Sequence, residues 1–243
     1  MKVTYRLVGS ISALAGILLM ILLLINCILI RDDFLNTTNS KYKVHKNLSI
    51  TEEELENVVH QMIGFVKGQE NSPQVEVLIK GEKVAFFNTK EIGHLEDVKI
   101  LMRNLYISMW CMFFIFVGGV GFLVYKKNYE AISKGIFVSW GILVVASIFV
   151  GILAVIDIDI VVTAFHEIFL SGSQWVLNPA LDRSVWMFRT RMYGDVILTL
   201  GLIVGVVACI SLAIALGVFR IYKKKGELYG KSRNGSGKNS KRN

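Results

Sequence analysis

The chain has 243 residues, of which 53% are hydrophobic, and a formal charge of +8. A mean hydropathy of +0.52 excludes an ordinary soluble domain. The three cysteines, Cys27, Cys111 and Cys209, all fall inside apolar runs, which excludes a disulfide framework outside the membrane and reads as small packing residues.

Four uncharged runs follow in order: Ser10–Ile30, Asn104–Tyr125, Gly135–Ile156 and Val196–Phe219. Each reaches the ~20 residues that a membrane-crossing helix needs. A backbone in lipid must satisfy its own hydrogen bonds, so each run is expected to be a helix. The expected fold class is membrane α-helical: a bundle of four transmembrane helices, a small α+β extracytoplasmic domain and a second short outer segment.

Lysine and arginine set the orientation. Lys2 and Arg6 precede the first run, Lys126, Lys127 and Lys134 separate the second from the third, and Arg220 and Lys223–Lys225 follow the fourth. Residues 1–9 are therefore a cytoplasmic N-terminus, 10–30 the first span, 31–103 an extracytoplasmic domain and 104–125 the second span. Residues 126–134 form a cytoplasmic loop, 135–156 the third span, 157–195 an outer interfacial segment, 196–219 the fourth span and 220–243 a basic cytoplasmic tail. The first span is expected to stay uncleaved, because no A-x-A exit follows it. The positive ends favour anionic membrane lipid and argue against nucleic acid as a partner. The tail from Gly226 is polar and rich in glycine, serine and lysine, the composition of a disordered segment. Its Gly235–Lys238 stretch has no preceding strand and is no phosphate loop.

Within the first outer segment, Ser49-Ile50-Thr51-Glu52 reads as a capping box. Leu55, Val58, Val59, Met62, Ile63 and Val66 then recur at helical spacing. Gln74–Ile79 and Lys83–Phe87 predict two short strands around a turn at Lys80-Gly81-Glu82. Thr89 is placed to cap a helix that merges into the second span and carries His94 and Asp97 on one face. His45 and His60 read as surface or packing residues.

The second outer segment is too apolar and aromatic for a solvated loop: Thr163–Phe169, Gln174-Trp175, Asn178-Pro179 and Val185–Phe188. Two readings stand side by side, an interfacial aromatic belt and a re-entrant element shielded by protein or water. Both put His166 at the membrane interface, on the same outer side as His94.

Two titratable imidazoles at one interface can move protons near neutral pH. Glu91, Asp97 and Glu167 are candidates to orient or charge-tune them. A G-x-S-x-G elbow, an H-E-x-x-H pair and a cysteine ligand cluster are all missing, and two histidines alone do not predict a metal site. A non-catalytic partner or chaperone of a cell-envelope complex is the alternative from another class. Charge-free spans argue against an ion transporter.

The stretches Lys90-Glu91-Ile92-Gly93-His94-Leu95-Glu96-Asp97-Val98 and Phe165-His166-Glu167-Ile168-Phe169, with Trp175, Asn178-Pro179 and Trp186-Met187-Phe188, resemble landmarks of one family. It is the lipoprotein intramolecular transacylases of Gram-positive bacteria. The likeness runs from the first span to the fourth and leaves out the basic tail. Where that family tends to a proline-containing aromatic run, this chain has Arg189-Thr190-Arg191-Met192-Tyr193.

The resemblance implies an acyltransferase in the plasma membrane, with its site on the extracytoplasmic face. Its substrate would be the diacylated N-terminal cysteine of a lipoprotein. The sn-2 acyl chain would pass to the α-amine of the same cysteine, giving the lyso form without a cofactor. His94 and His166 are then the catalytic candidates, one moving the proton and the other stabilising the oxyanion, in an order that the residues leave open. Glu91, Asp97, Glu167, Trp175, Arg189 and Arg191 are the orienting or substrate-binding candidates, the two arginines toward lipid phosphate or acidic headgroups.

Overall fold

The structure, a computed structural model, describes residues 2–28, 30–170, 174–188 and 190–239. The elements in chain order are α1 (Lys2–Ile28), α2 (Asp32–Lys41), α3 (Val44–Leu48), α4 (Glu52–Val66), β1 (Glu76–Ile79), β2 (Glu82–Ala85), α5 (Thr89–Tyr125), α6 (Tyr129–Ile156), α7 (Ile158–Phe169), α8 (Ser184–Met187) and α9 (Thr190–Asn239). Among the described residues four helices, α1, α5, α6 and α9, are long and apolar enough to cross a membrane. The chain is a multi-pass membrane protein with the helical class expected.

The 37 residues of α5 make a rod of about 55 Å, well beyond a hydrocarbon core of ~30 Å. Its uncharged part begins at Asn104, and the stretch Thr89–Arg103 before it carries the charges. At the other end of the chain, α9 continues through the polar tail to Asn239, where the composition predicted disorder. No proline interrupts it, and extending a helix costs far less than starting one.

One compact unit comprises residues 1–21, 111–148 and 204–243. Its helices approach through small residues, as membrane helices do. A Cβ on Gly135 would strike the backbone of Gly9, and one on Gly9 the backbone of Ala131. Trp140 Nε1 donates to Ser211 Oγ at 2.8 Å, and Ser133 Oγ to the Ala215 carbonyl at 2.8 Å. Cys111 and Cys209 are exposed, as is Cys27 in the other unit, so none of the three fills the packing role expected of it.

The second unit comprises residues 22–110 and 149–203. Its core is built on the apolar face of α4, with Val58 and Val59 fully buried, and it includes Phe86, Phe87, Leu95, Met102 and Met187. The capping box of α4 is present, but two residues later than expected. Thr51 accepts from the Glu54 amide at 3.1 Å, and Glu54 accepts from the Thr51 amide at 2.8 Å. Ser49 cannot serve, because it ends α3 in the left-handed region (φ 57°) and a helix N-cap needs extended backbone.

The strands pair antiparallel with Ile79 opposite Glu82. The two-residue loop Lys80-Gly81 has φ of 55° and 87°, the pair of positive values that a tight hairpin turn of type I′ requires. Both strands are shorter than predicted: Phe86 still donates to the Val75 carbonyl at 2.8 Å, but the Phe87 amide turns to the Gln74 side chain, and both rings are buried in the core.

Candidate active site

α5 begins at a reciprocal cap. Asn88 Oδ1 accepts from the Glu91 amide at 2.9 Å, and Glu91 Oε2 accepts from the Asn88 amide at 2.8 Å. Sequence reading placed the cap at Thr89, one residue late. The second oxygen of Glu91 reaches across the chain: Oε1 accepts from Ser184 N at 2.6 Å and from Ser184 Oγ at 2.7 Å. Glu91 is only 1% exposed. It fastens backbone to backbone and is committed to neither imidazole.

Around it lies a wider latch between the start of α5 and residues 174–188. Asn88 Nδ2 donates to Asp182 Oδ1 at 2.7 Å, and the Asn178 amide to Asp182 Oδ2 at 2.5 Å. Lys90 Nζ donates to the Val176 carbonyl. Arg183 donates to the carbonyls of Ala85 at 2.8 Å and Phe86 at 3.1 Å. Trp186 Nε1 closes the segment on the Pro179 carbonyl at 3.0 Å. Burial alone would raise the Asp182 carboxyl. The Asn178 amide, the Asn88 carboxamide and the Lys90 charge outweigh it and hold the group below the usual carboxylate value. Asp182, Ser184 and Asn88 were not singled out from the sequence; Asp182 four residues beyond Asn178 was the only available sign.

This latch sets the neighbours of His94. Across from it stands His166, on α7, with ring centroids 6.0 Å apart and planes inclined by 31°. α7 is capped by Asp157, whose Oδ1 accepts from the Asp159 amide at 2.9 Å. None of its residues is buried, and Ile158, Ile160, Phe165, Ile168 and Phe169 are exposed. An amphipathic helix of this kind suits the headgroup boundary.

His166 is oriented on three sides. Its Nδ1 lies 2.7 Å from the Val162 carbonyl. A carbonyl only accepts, so Nδ1 carries the proton in the neutral ring and Nε2 presents a lone pair. Trp175 stacks on the imidazole at 4.5 Å and 24°, and Phe165 meets it edge-on at 5.5 Å and 85°.

His94 differs. Its Nδ1 is buried and has no hydrogen-bond partner among the described residues. Such an atom costs about 1–3 kcal/mol when left unmet. Burial lowers the pKa of His94 below the usual histidine value, and a positive His166 lowers it further; Asp97, one turn along, pulls the other way. Burial and a charged His166 thus both favour the neutral ring of His94.

Of the other candidates, Trp175 is in the site and Asp97 acts on His94 through charge. Glu167 is exposed and forms no hydrogen bond or ion pair with a described residue. Arg189 lies outside the described residues, and so does the side chain of Arg191. His60 pairs with Asp32 at 2.6 Å, away from the imidazole pair.

The model of the family "Lipoprotein intramolecular transacylase Lit" matches residues 10–193. The chain belongs to that family. It is accordingly an acyltransferase acting within lipoproteins, and the non-catalytic alternative falls. The fold also resembles solved membrane-integral transacylases from Bacillus cereus. A histidine-to-arginine variant aligns with TM-score 0.72 at 13% identity, covering 92% of this chain and 96% of that one. A second structure aligns with TM-score 0.69 at 14% identity, covering 92% and 100%. A histidine-to-alanine variant gives 0.66 at 15%, covering 96% of both. No curated protein sequence matches the chain.

Proposed function

We propose that His94 and His166 together transfer the sn-2 acyl chain of a lipoprotein's S-diacylglyceryl cysteine to the α-amine of that cysteine. The fixed tautomer of His166 supports its role as base, because Nε2 offers a lone pair to the amine. The lowered pKa of His94 favours its neutral form and supports the role of electrophile, a ring N–H donating a hydrogen bond to the ester carbonyl oxygen. The amine nitrogen attacks the carbonyl carbon and gives its proton to His166. The tetrahedral intermediate then collapses: the new C–N bond stays, the C–O bond to glycerol breaks, and His166 returns the proton to the glycerol oxygen. Nothing else is consumed. Amine and ester belong to one molecule, so a site that folds the headgroup gains a large effective molarity.

The observation that carries this reading is the facing of the two imidazoles, 6.0 Å apart, at the edge of an exposed apolar helix. We place the site on the extracytoplasmic face of a Gram-positive plasma membrane, from the lysine and arginine that flank the opposite ends of the spans. Its partners are a diacylated lipoprotein N-terminus and the surrounding lipid. The test is mass spectrometry of N-terminal lipopeptides from cells with and without this chain. An acyl group on the α-amine, with one lost from the glycerol, is the expected product. Delivery of isotope-labelled acyl from a separate phospholipid would overturn it.

A further inference from the structure

We propose that the Gln174 carboxamide is a second donor to the oxyanion, seated beside His94 because Gly93 has no side chain. This rests on the reading of the two histidines above.

Gln174 sits between two parts of the site: its neighbour Trp175 stacks on His166, and its own amide lies against the turn that presents His94. A Cβ built on Gly93 would come 2.6 Å from Gln174 Cδ and 2.9 Å from Nε2, with Oε1 closer still. Those are contacts that a real Cβ does not make, so the carboxamide occupies the space a side chain at 93 would take. It makes no hydrogen bond with any described residue and is exposed, so its two N–H donors are open to a ligand.

The chemistry asks for such a group. When the oxyanion exists, the Nδ1–H of His166 is committed to Val162 and the proton on Nε2 is held for the glycerol oxygen. That leaves His94 alone on the carbonyl oxygen, where preorganised pairs of donors are the usual arrangement. A lysine or arginine there would stabilise the oxygen but would also lower the basicity of both imidazoles. A neutral amide stabilises the oxygen without that penalty.

The clash at position 93 involves only the far end of a flexible side chain, so a methyl group there evicts the carboxamide and leaves the helix in place. Gly93→Ala and Gln174→Ala thus remove the same group by different routes. The experiment measures kcat and KM for purified Gln174→Ala, Gln174→Met, Gly93→Ala and Gly93→Ala/Gln174→Ala proteins on a synthetic diacyl lipopeptide. Thermal unfolding in detergent reports that each variant is folded. Loss of one oxyanion donor lowers kcat by roughly 10²–10³ with KM little changed. Gln174→Met fills the same volume without a donor and should be as slow as alanine. The double variant should be no slower than Gln174→Ala.

A near-normal Gln174→Met would mean packing only and overturn the proposal. So would multiplied losses in the double variant, which would put the effect of Gly93 elsewhere. If the unmodified protein moves no acyl group, the transacylase reading itself fails. If Gln174→Met is active while His94→Ala is dead, only the present inference does.

Discussion

Glu91 and Ser184 meet at 2.6 Å in the protein interior, so the helix bearing His94 and the segment bearing Trp175 are tied at one buried carboxylate. Removing that carboxylate orphans the amides of Asn88 and Ser184 together. Glu91→Ala should destabilise the protein by about 1–3 kcal/mol, the cost of leaving the buried Ser184 amide unmet, because water can reach the exposed Asn88. Glu91→Gln should cost less, since one acceptor oxygen remains. Thermal unfolding in detergent measures both. A Glu91→Ala protein as stable as the parent would show that the tie is dispensable.

His94→Ala and His166→Ala should each lower turnover by at least the ~10²–10⁴-fold typical of an acid–base group. If the pair works as a unit, the double variant should be little worse than the worse single one. His45→Ala and His60→Ala should remain active. Near-full activity in a well-expressed His94→Ala or His166→Ala protein would remove that residue from the mechanism.

The titration of His94 should lie below the usual histidine value, ~6.5. Removing the His166 charge with His166→Gln should raise it, and Asp97→Asn should lower it further, because Asp97 favours the charged ring. The sign for stability follows: between the folded and the unfolded values the unfolded chain binds more protons, so His94 weakens the fold as pH falls below ~6.5. Imidazole NMR shifts of ¹³C-labelled histidine measure the titration. An unchanged value in His166→Gln would mean that the rings do not sense each other.

Asp182 should act in the opposite sense. Its folded pKa is lowered, so its contribution is full above the unfolded carboxylate value of ~3.9 and disappears as pH falls through the folded one. Asp182→Asn should therefore lower the unfolding temperature near pH 6, with the gap to the parent closing below pH ~4. A gap of constant size across that range would count against a charged Asp182 latch.

The four spans were legible because a run of about twenty uncharged residues has few other uses. The hairpin was legible in Lys80-Gly81, where the turn chemistry is local. Both histidines were found from their place at the ends of spans. The cap of α4 was displaced because Ser49 and Thr51 are both good caps, and only the left-handed backbone at Ser49 decides between them. Glu91 looked like a partner for histidine because it is three residues from one. Its true partner, Ser184, lies in another segment, and no periodicity connects them. Gln174 was hidden for the same reason: its place depends on the missing side chain of Gly93, a contact between segments that only a three-dimensional arrangement reveals.

The tie between Glu91 and Ser184 has a consequence for how the enzyme is made. A chain leaves the ribosome from its N-terminus. His94 has therefore left the ribosome while Asp182 and Ser184 are still unmade. A nascent chain halted before residue 166 holds one imidazole and no counterpart, and one halted before 182 lacks the latch. The site is therefore complete only after Ser184 has been made, long after His94 has left the ribosome.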